Sequence, residues 1–470
     1  MIRRILLAAA LVATPVSASA QAYPPQPPAG SPKPFTVPAS ETYRLPNGMQ
    51  VTLVPYGIVP KATVSLRVYA GALEAGEKTW LNSLTASMMR EGGAGSRTGA
   101  QVAEAAASMG GQLGVGSDVH ETSVNLSVLS ENADEAVRLI SDVARRPTLP
   151  ASELERIRAN ALRNLAVARS QPDTTADAAL ARAVYGTAHP YGRLFPTEAQ
   201  LKGYTLDDLR RFHAESFGAR RARLYIAGRF DAAAVTAAIE QAFADWQPGP
   251  DRLRLPPQPK PGPQLILVDR PGAPQSTIRI AYPAPLTGGA GDLPFRVTNA
   301  LLGGSFTSRI TRNIREEKGY TYSPYSGIAH NPGESLWTFE ADVTTDVTGA
   351  SLNEVFGEIR RLGTEAPGEE EAAGMRTWMA GTFVLQNASP GGLIGGLSHR
   401  DFHGMPANWL QSYIPTVLGV QAADMQRLAR EQLPLERATV VVVGDLAKVR
   451  PQLASLPELG GMQAQVVTLD

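Results

Sequence analysis

The chain of 470 residues contains no cysteine. That absence excludes disulfides, thiol nucleophiles, iron–sulfur clusters and every zinc site built on thiolates. Neither sign of charge is in excess, since 44 Lys and Arg balance 44 Asp and Glu. A neutral chain has no basic field with which to hold a nucleic acid. Long apolar runs are missing as well; the one near the N-terminus is too short to span a bilayer. What is present is a globular composition, 43% hydrophobic and 19% charged, in a length that suggests two or more domains.

The N-terminus reads as an export signal. Arg3 and Arg4 precede the apolar run Ile5 to Ala13, and Ala18-Ser19-Ala20 forms a small-residue cleavage pattern. Residues 1–20 are therefore expected to be removed, with the mature chain starting at Gln21. Without a cysteine after the cut there is no lipid anchor, so the expected location is the periplasm, with no membrane anchor in the mature form. Residues 21–39 are Pro-rich and read as an extended leader. A second Pro-rich stretch, residues 247–264 (QPGPDRLRLPPQPKPGPQ), holds seven prolines. It can continue neither a helix nor a central strand and reads as a linker.

The two sides of that linker repeat each other. The strand pattern Ser65-Leu66-Arg67-Val68-Tyr69 is answered by Thr277-Ile278-Arg279-Ile280, with Arg67 and Arg279 212 positions apart. Each side closes on an apolar strand ending in glycine, Gly228 and Gly444, 216 apart. Between them come a helix with a Gly/Ser loop (Gly92 to Ser96, Gly303 to Ser305), an alternating strand (Val124, Leu126, Val128; Trp337, Phe339, Ala341, Val343) and amphipathic helices. Leu352, Val355, Phe356, Ile359 and Leu362 mark one of these helices. A repeat of this length means a duplicated domain. Each half is expected to be an α+β sandwich of helices on a mainly antiparallel sheet, the two facing across a cleft. The expected boundaries are 40–246 and 265–470.

The stretch Asn299 to Ser323 (NALLGGSFTSRITRNIREEKGYTYS) resembles the second-half signature of the pitrilysin-type (M16) zinc peptidases. Leu45-Pro46-Asn47-Gly48-Met49, His189-Pro190-Tyr191-Gly192 and the closing VVVVGD strand support the resemblance. It covers both halves from about Ser40 onward and implies two mitochondrial processing peptidase-like domains. In that family the first half carries His-x-x-Glu-His, two zinc ligands one turn apart and a glutamate that activates water. The matching segment here is Trp80 to Met88. Leu81, Leu84 and Met88 keep the apolar frame, but Ser83 and Ser87 stand at the ligand positions and Ala86 at the base. The third ligand, a glutamate, is expected near Arg163 to Ala168, which holds no carboxylate. Serine is not a plausible zinc ligand and alanine takes no proton. No metal is therefore expected in this chain.

The six histidines supply no substitute site. His399 and His403 are four apart and could share a helical face, but no third ligand follows at helical spacing. They and His189 read as structural. Gly304-Ser305-Phe306 does not satisfy a nucleophile elbow. The PGGLIGG stretch, residues 390–396, lacks a phosphate-loop ending and reads as a flexible hinge or a close backbone packing.

Arg315 and Tyr322 remain, at the spacing of the family's second-half arginine and tyrosine. The helix from about Ile310 to Lys318 should end at Gly319 in a left-handed C′ position, and Tyr320-Thr321-Tyr322 should start a strand. The resemblance implies that this pair reaches toward the scissile peptide, where both donors suit an oxygen that gains charge. Tyr320 and Tyr325 are expected only to pack. Two functions follow. In one, the chain is the Arg/Tyr subunit of a heterodimeric peptidase whose partner bears His-x-x-Glu-His and the zinc, cleaving short or unfolded peptides. In the other it is an inactive homologue acting as scaffold or peptide-binding protein.

Overall fold

The computed structural model describes residues 35–468 except 258, 260 and 261. The export signal and most of the Pro-rich leader lie outside the described residues. The described residues from Val37 onward form one compact unit, built on two six-stranded sheets.

The first sheet contains β1 (Glu41–Arg44), β2 (Gln50–Pro55), β3 (Lys61–Val68), β6 (Gly114–Ser117), β7 (Thr122–Leu129) and β8 (Ala222–Gly228). Its order is β1-β2-β8-β3-β7-β6, while β4 (Gly93–Ala94) and β5 (Arg97–Thr98) make a separate ribbon. The second sheet contains β9 (Gln264–Asp269), β10 (Gln275–Pro283), β11 (Tyr325–Asn331), β12 (Glu334–Thr344), β13 (Thr439–Gly444) and β14 (Ala464–Val466), in the order β11-β12-β10-β13-β9-β14. Five strands correspond one to one. β2 runs parallel to β8 as β9 does to β13, and every other pair among the five is antiparallel. Only the edge differs: β1 is antiparallel to β2, whereas β14 is parallel to β9. The α+β duplication is thus a duplication of topology.

The ladders correct the offset. Thr63 pairs with Ala227 as Thr277 pairs with Val443, so the counterparts in β3 and β10 are 214 residues apart (277 − 63). Arg279 therefore answers Ser65, and the similarity of Arg67 to Arg279 is coincidental.

The central strands of each sheet are buried on both faces, which is why β13 reads as an unbroken run of valine. One face carries the half's own helices, such as Ala133–Arg145 on β3 and β7. The other face carries a helix from the opposite half. Pro172–Tyr185 lies on β9, β10 and β13, and Pro390–His403 lies on β3 and β8. Ala176, Ala179, Leu180 and Val184 bury against Ile266, Val268, Ala281, Val441 and Val443. Polar bonds follow the exchange. Tyr185 donates to Glu334 at 2.8 Å, Tyr225 donates to Asp401 at 2.9 Å, and Arg279 meets Asp173 and Asp177 at 2.8 and 2.7 Å. The halves are interlocked, and the space left between them is a cavity of about 610 Å³.

Residues 390–396 do not form a flexible loop. Pro390 occupies the first turn of the Pro390–His403 helix and Ser389 caps it, accepting from Gly392 N at 3.1 Å. Two glycines are there for close approach: a Cβ on Gly392 would lie 1.7 Å from Gln386 O, and one on Gly396 2.9 Å from Asn387 Oδ1.

Candidate functional site

Arg315 sits in a helix whose geometry is unusual. Ala300–Gly304 and Thr311–Glu317 are wound as wide π turns, a form that recurs at functional sites. Gly303 and Gly304 belong to the first of these turns and not to a loop. Added Cβ atoms there would lie 2.5 Å from Ser326 Oγ and 2.5 Å from Asn299 Nδ2. The helix can therefore press against β11, where Asn299 Oδ1 accepts from Ser326 Oγ at 2.6 Å and Trp337 Nε1 at 2.5 Å. Arg309 forks onto Glu371 at 2.8 and 2.7 Å, and Asn313 donates to Glu354 and Glu358, both at 3.0 Å. These bonds fix the helix on its neighbours and leave Arg315 on the outer side.

Gly319 takes the left-handed conformation expected of it, φ 65°, and Tyr320 N closes onto Ile314 O at 2.8 Å. The strand starts later than the sequence suggests, at Tyr325; before it only Thr321 bridges to Val343. This short irregular passage turns Tyr322 back over the helix. The Arg315 guanidinium lies 4.8 Å from the Tyr322 ring centroid and 4.4 Å from that of Phe306. Both rings face solvent, Tyr322 at 78% and Phe306 at 64% exposure. Among the described residues Arg315 makes no ion pair, with Glu316 and Glu317 or otherwise. Phe306 was not singled out by the sequence; its signal is an aromatic in a Gly-Gly-Ser turn that no helical or strand period requires. Tyr320 is half-buried, while Tyr325 stays half exposed instead of packing fully.

The first-half counterpart is the Leu81–Glu91 helix. Leu81, Leu84 and Met88 are buried in the main core. Ser83 and Ser87 line a cavity of about 520 Å³, facing Asn160, Arg163 and Asn164 of the Ala151–Ser170 helix. Asn164 lies within Arg163 to Ala168, where the resemblance places the third ligand, and Asn160 one turn before it. Hydroxyls and amides of this kind do not fit zinc, which takes imidazole, thiolate or carboxylate. Glu91, the carboxylate on the wall, is tied to Arg90 and Arg156 at 2.6 Å each, which hold it below the usual carboxylate range. Ala86 is packed away in the core. Trp80 rims the cavity with a left-handed backbone, φ 67°, held by its Nε1 bond to Leu194 O at 2.9 Å.

His399 and His403 do share a helical face, their rings 4.6 Å apart, and His330 from β11 joins them at 5.8 and 6.5 Å. Burial, with the nearby Arg296 charge, pushes His330 and His399 down to about 4; burial and His399 push His403 down to about 3. They are neutral packing groups. His189 accepts from Tyr191 N at 3.2 Å and stacks edge-on against that ring. No group of three or more His, Asp or Glu among the described residues is arranged to hold a metal, and no described helix is long and apolar enough to cross a membrane.

The duplicated α+β chain thus carries an exposed Arg–Tyr pair in its second half and, in its first, a cavity lined by Ser83, Ser87, Asn160, Arg163 and Asn164. Residues 57–196 match the family described as insulinase (peptidase family M16), and residues 203–377 match the peptidase M16 inactive domain. The chain belongs to the M16 peptidase family. It is 26% identical over 362 residues to an uncharacterized zinc protease of Mycobacterium tuberculosis, covering 75% of this chain and 79% of the relative. It is 20% identical over 344 residues to a Helicobacter pylori protein named a non-peptidase homolog, covering 72% and 78%. The fold matches the solved peptidase M16 inactive domain of Pseudomonas fluorescens with a TM-score of 0.78 at 22% identity, covering 86% of this chain and 98% of that one. A Helicobacter pylori protease structure matches with a TM-score of 0.79 at 16% identity, covering 87% and 100%.

Proposed function

We infer that the chain is the Arg/Tyr-bearing subunit of a two-chain exported peptidase, with metal and general base on a partner carrying His-x-x-Glu-His. The observation that carries this reading is the state of Arg315. It is held between two exposed rings, yet among the described residues its donors meet no acceptor. A guanidinium and a phenol presented in this way can donate to a peptide carbonyl oxygen as charge grows on it. Location in the periplasm rests on the leader pattern, and short or unfolded peptides as substrates rest on the family resemblance. A second reading, an inactive scaffold or peptide-binding protein, is favoured by the relative in Helicobacter pylori that is named a non-peptidase homolog.

The test is reconstitution with an exported M16 chain that retains His-x-x-Glu-His. Peptide hydrolysis is expected from the mixture and not from this chain alone. Arg315→Ala and Tyr322→Phe should each lower kcat about a hundredfold, the effect of losing one oxyanion donor, about 3 kcal/mol. Folding stability should move by less than about 1 kcal/mol, because a half-exposed cation–π contact is worth no more. Tyr320→Phe serves as the control. Wild-type rates from both variants would leave the scaffold reading in possession.

A further inference from the structure

The cavity between the halves is walled by the first half, the linker and the second half together. Four arginines line it, Arg220, Arg223, Arg252 and Arg254, against a single carboxylate, Asp401. That carboxylate is fully committed. Arg400 donates to Oδ1 through Nε at 2.8 Å and Nη2 at 2.7 Å, while Tyr225 and Gln50 donate to Oδ2 at 2.9 and 3.1 Å. Arg220 reaches Asp251 at 3.4 Å, on the exposed surface. Among the described residues Arg223, Arg252 and Arg254 form no ion pair; Glu74 and Glu121 act on Arg252 only through space, and both are committed to other arginines, Arg221 and Arg67.

Two of these three are nevertheless held in place. Arg223 donates to the carbonyls of Arg220 and Ala222 at 3.3 and 2.9 Å. Arg252 donates to Phe402 O at 3.1 Å and lies 4.2 Å from the ring centroids of both Tyr69 and Phe402. Its proton affinity is depressed, first by burial and then by the charges of Arg254 and Arg223, which together outweigh the opposing influence of Tyr69 and Glu74. Like charges gathered around a partly enclosed space repel one another, and the low-dielectric walls strengthen that repulsion. An anion entering the space removes it and gains forked, charge-assisted hydrogen bonds. Leu253, Leu286 and the Tyr69 and Phe402 rings add an apolar surface, and about 610 Å³ lies within the size range of small-molecule pockets.

We propose that this inter-half cavity binds a small organic polyanion, whose carboxylate or phosphate groups are taken by Arg223, Arg252 and Arg254. Such a ligand bridges the two halves through the linker, so it stabilises the chain as well as binding to it. The site is independent of the Arg315 face and stands whether or not the chain takes part in proteolysis.

The experiment is calorimetric titration and thermal melting of the purified full chain with citrate, pyrophosphate and triglutamate, with triglutamine as the neutral probe. At least one anionic probe should bind with a Kd below about 1 mM at physiological salt, raise the melting temperature and weaken as salt increases. Binding by pyrophosphate alone identifies phosphate as the recognised group; binding by citrate or triglutamate identifies carboxylate. Arg223→Gln combined with Arg254→Gln should raise Kd tenfold or more, at about one order of magnitude per charged hydrogen bond lost. Arg254→Gln alone, on the exposed linker where it supports no packing, should give a smaller increase in the same direction. If no anionic probe binds the wild type, or if affinity is unchanged in both variants, the proposal is overturned.

Discussion

The interlock between the halves has a polar centre whose energetics should be asymmetric. Arg279 projects from β10 onto the Pro172–Tyr185 helix of the other half, with its side chain 5% exposed. Its carboxylate partners Asp173 and Asp177 are 53% and 46% exposed, and Glu340 stands further off at 4.0 Å. Burial alone would lower the proton affinity of this guanidinium, yet the two aspartates raise it above the ordinary value. The cation thus depends on its partners far more than they depend on it. Converting both partners to neutral amides of the same shape, Asp173→Asn with Asp177→Asn, leaves a buried charge whose one remaining ion-pair partner among the described residues is the more distant, half-exposed Glu340. That should cost about 3–5 kcal/mol. Arg279→Met removes the charge and keeps most of the apolar stem, while the freed aspartates return to water. Some repulsion with Glu340 remains, so the expected cost is about 1–2 kcal/mol.

Equilibrium urea unfolding of the three proteins measures the difference, read at constant m-value. Fluorescence and circular dichroism transitions should coincide, because helices shared between the sheets make the halves unfold together. The reasoning fails if Arg279→Met is as destabilising as the double aspartate variant, or more so.

Three further outcomes are expected. The purified chain, dialysed and analysed for metals, should hold only substoichiometric zinc, because Ser83, Ser87, Asn160 and Asn164 offer no imidazole or carboxylate; one tightly held zinc per chain would overturn that placement. Stability should be full above about pH 6.5 and fall progressively toward pH 4. His330, His399 and His403 titrate lower in the fold than in the unfolded chain, which therefore binds more protons in that window; a flat urea midpoint between pH 7.5 and 4.5 would contradict it. Limited proteolysis should cut within residues 247–263, and the two fragments should co-elute under native conditions because each sheet is covered by the other fragment's helix; fragments that separate freely would count against the interlock.

The sequence carried the sheets well and the exchange of helices not at all. Alternation along β7 and β12 and the valine run of β13 are local signals, and they located strands correctly. The 214-residue correspondence escaped because Arg67 and Arg279 look alike, whereas register is set by pairing across strands and not by residue identity. A sheet buried on both faces gives the same apolar run whichever helix covers it, so nothing in β9 or β13 announces the helix of the other half. Of the two readings of the PGGLIGG stretch, hinge or close backbone packing, the structure shows the second: Gly392 and Gly396 let a helix approach its neighbours closely. At the candidate site Arg315 and Tyr322 were singled out by the family resemblance, and the structure sets their side chains beside each other; Gly319 was legible from the turn it makes. Phe306, Asn160 and Asn164 were not, since each acquires meaning only from a residue brought beside it by the fold.

The two halves also show which positions a fold holds and which it releases. In the Leu81–Glu91 helix the buried residues Leu81, Leu84, Ala86 and Met88 account for its packing. Ser83 and Ser87 line a cavity outside that core, so side chains at these two positions can vary without disturbing the packing. Around Arg315 the balance is reversed. The glycine approaches, the Asn299 network and the Arg309–Glu371 fork all explain why the helix lies where it does. None of them explains Phe306 and Tyr322. Rings left at 64% and 78% exposure gain little from burial and add apolar surface to the outside of the molecule. Their return in stability is small, and what they do is orient one guanidinium that has no acceptor of its own. Removing them should therefore be nearly silent in folding and audible only where something else, a peptide or a partner chain, meets that face.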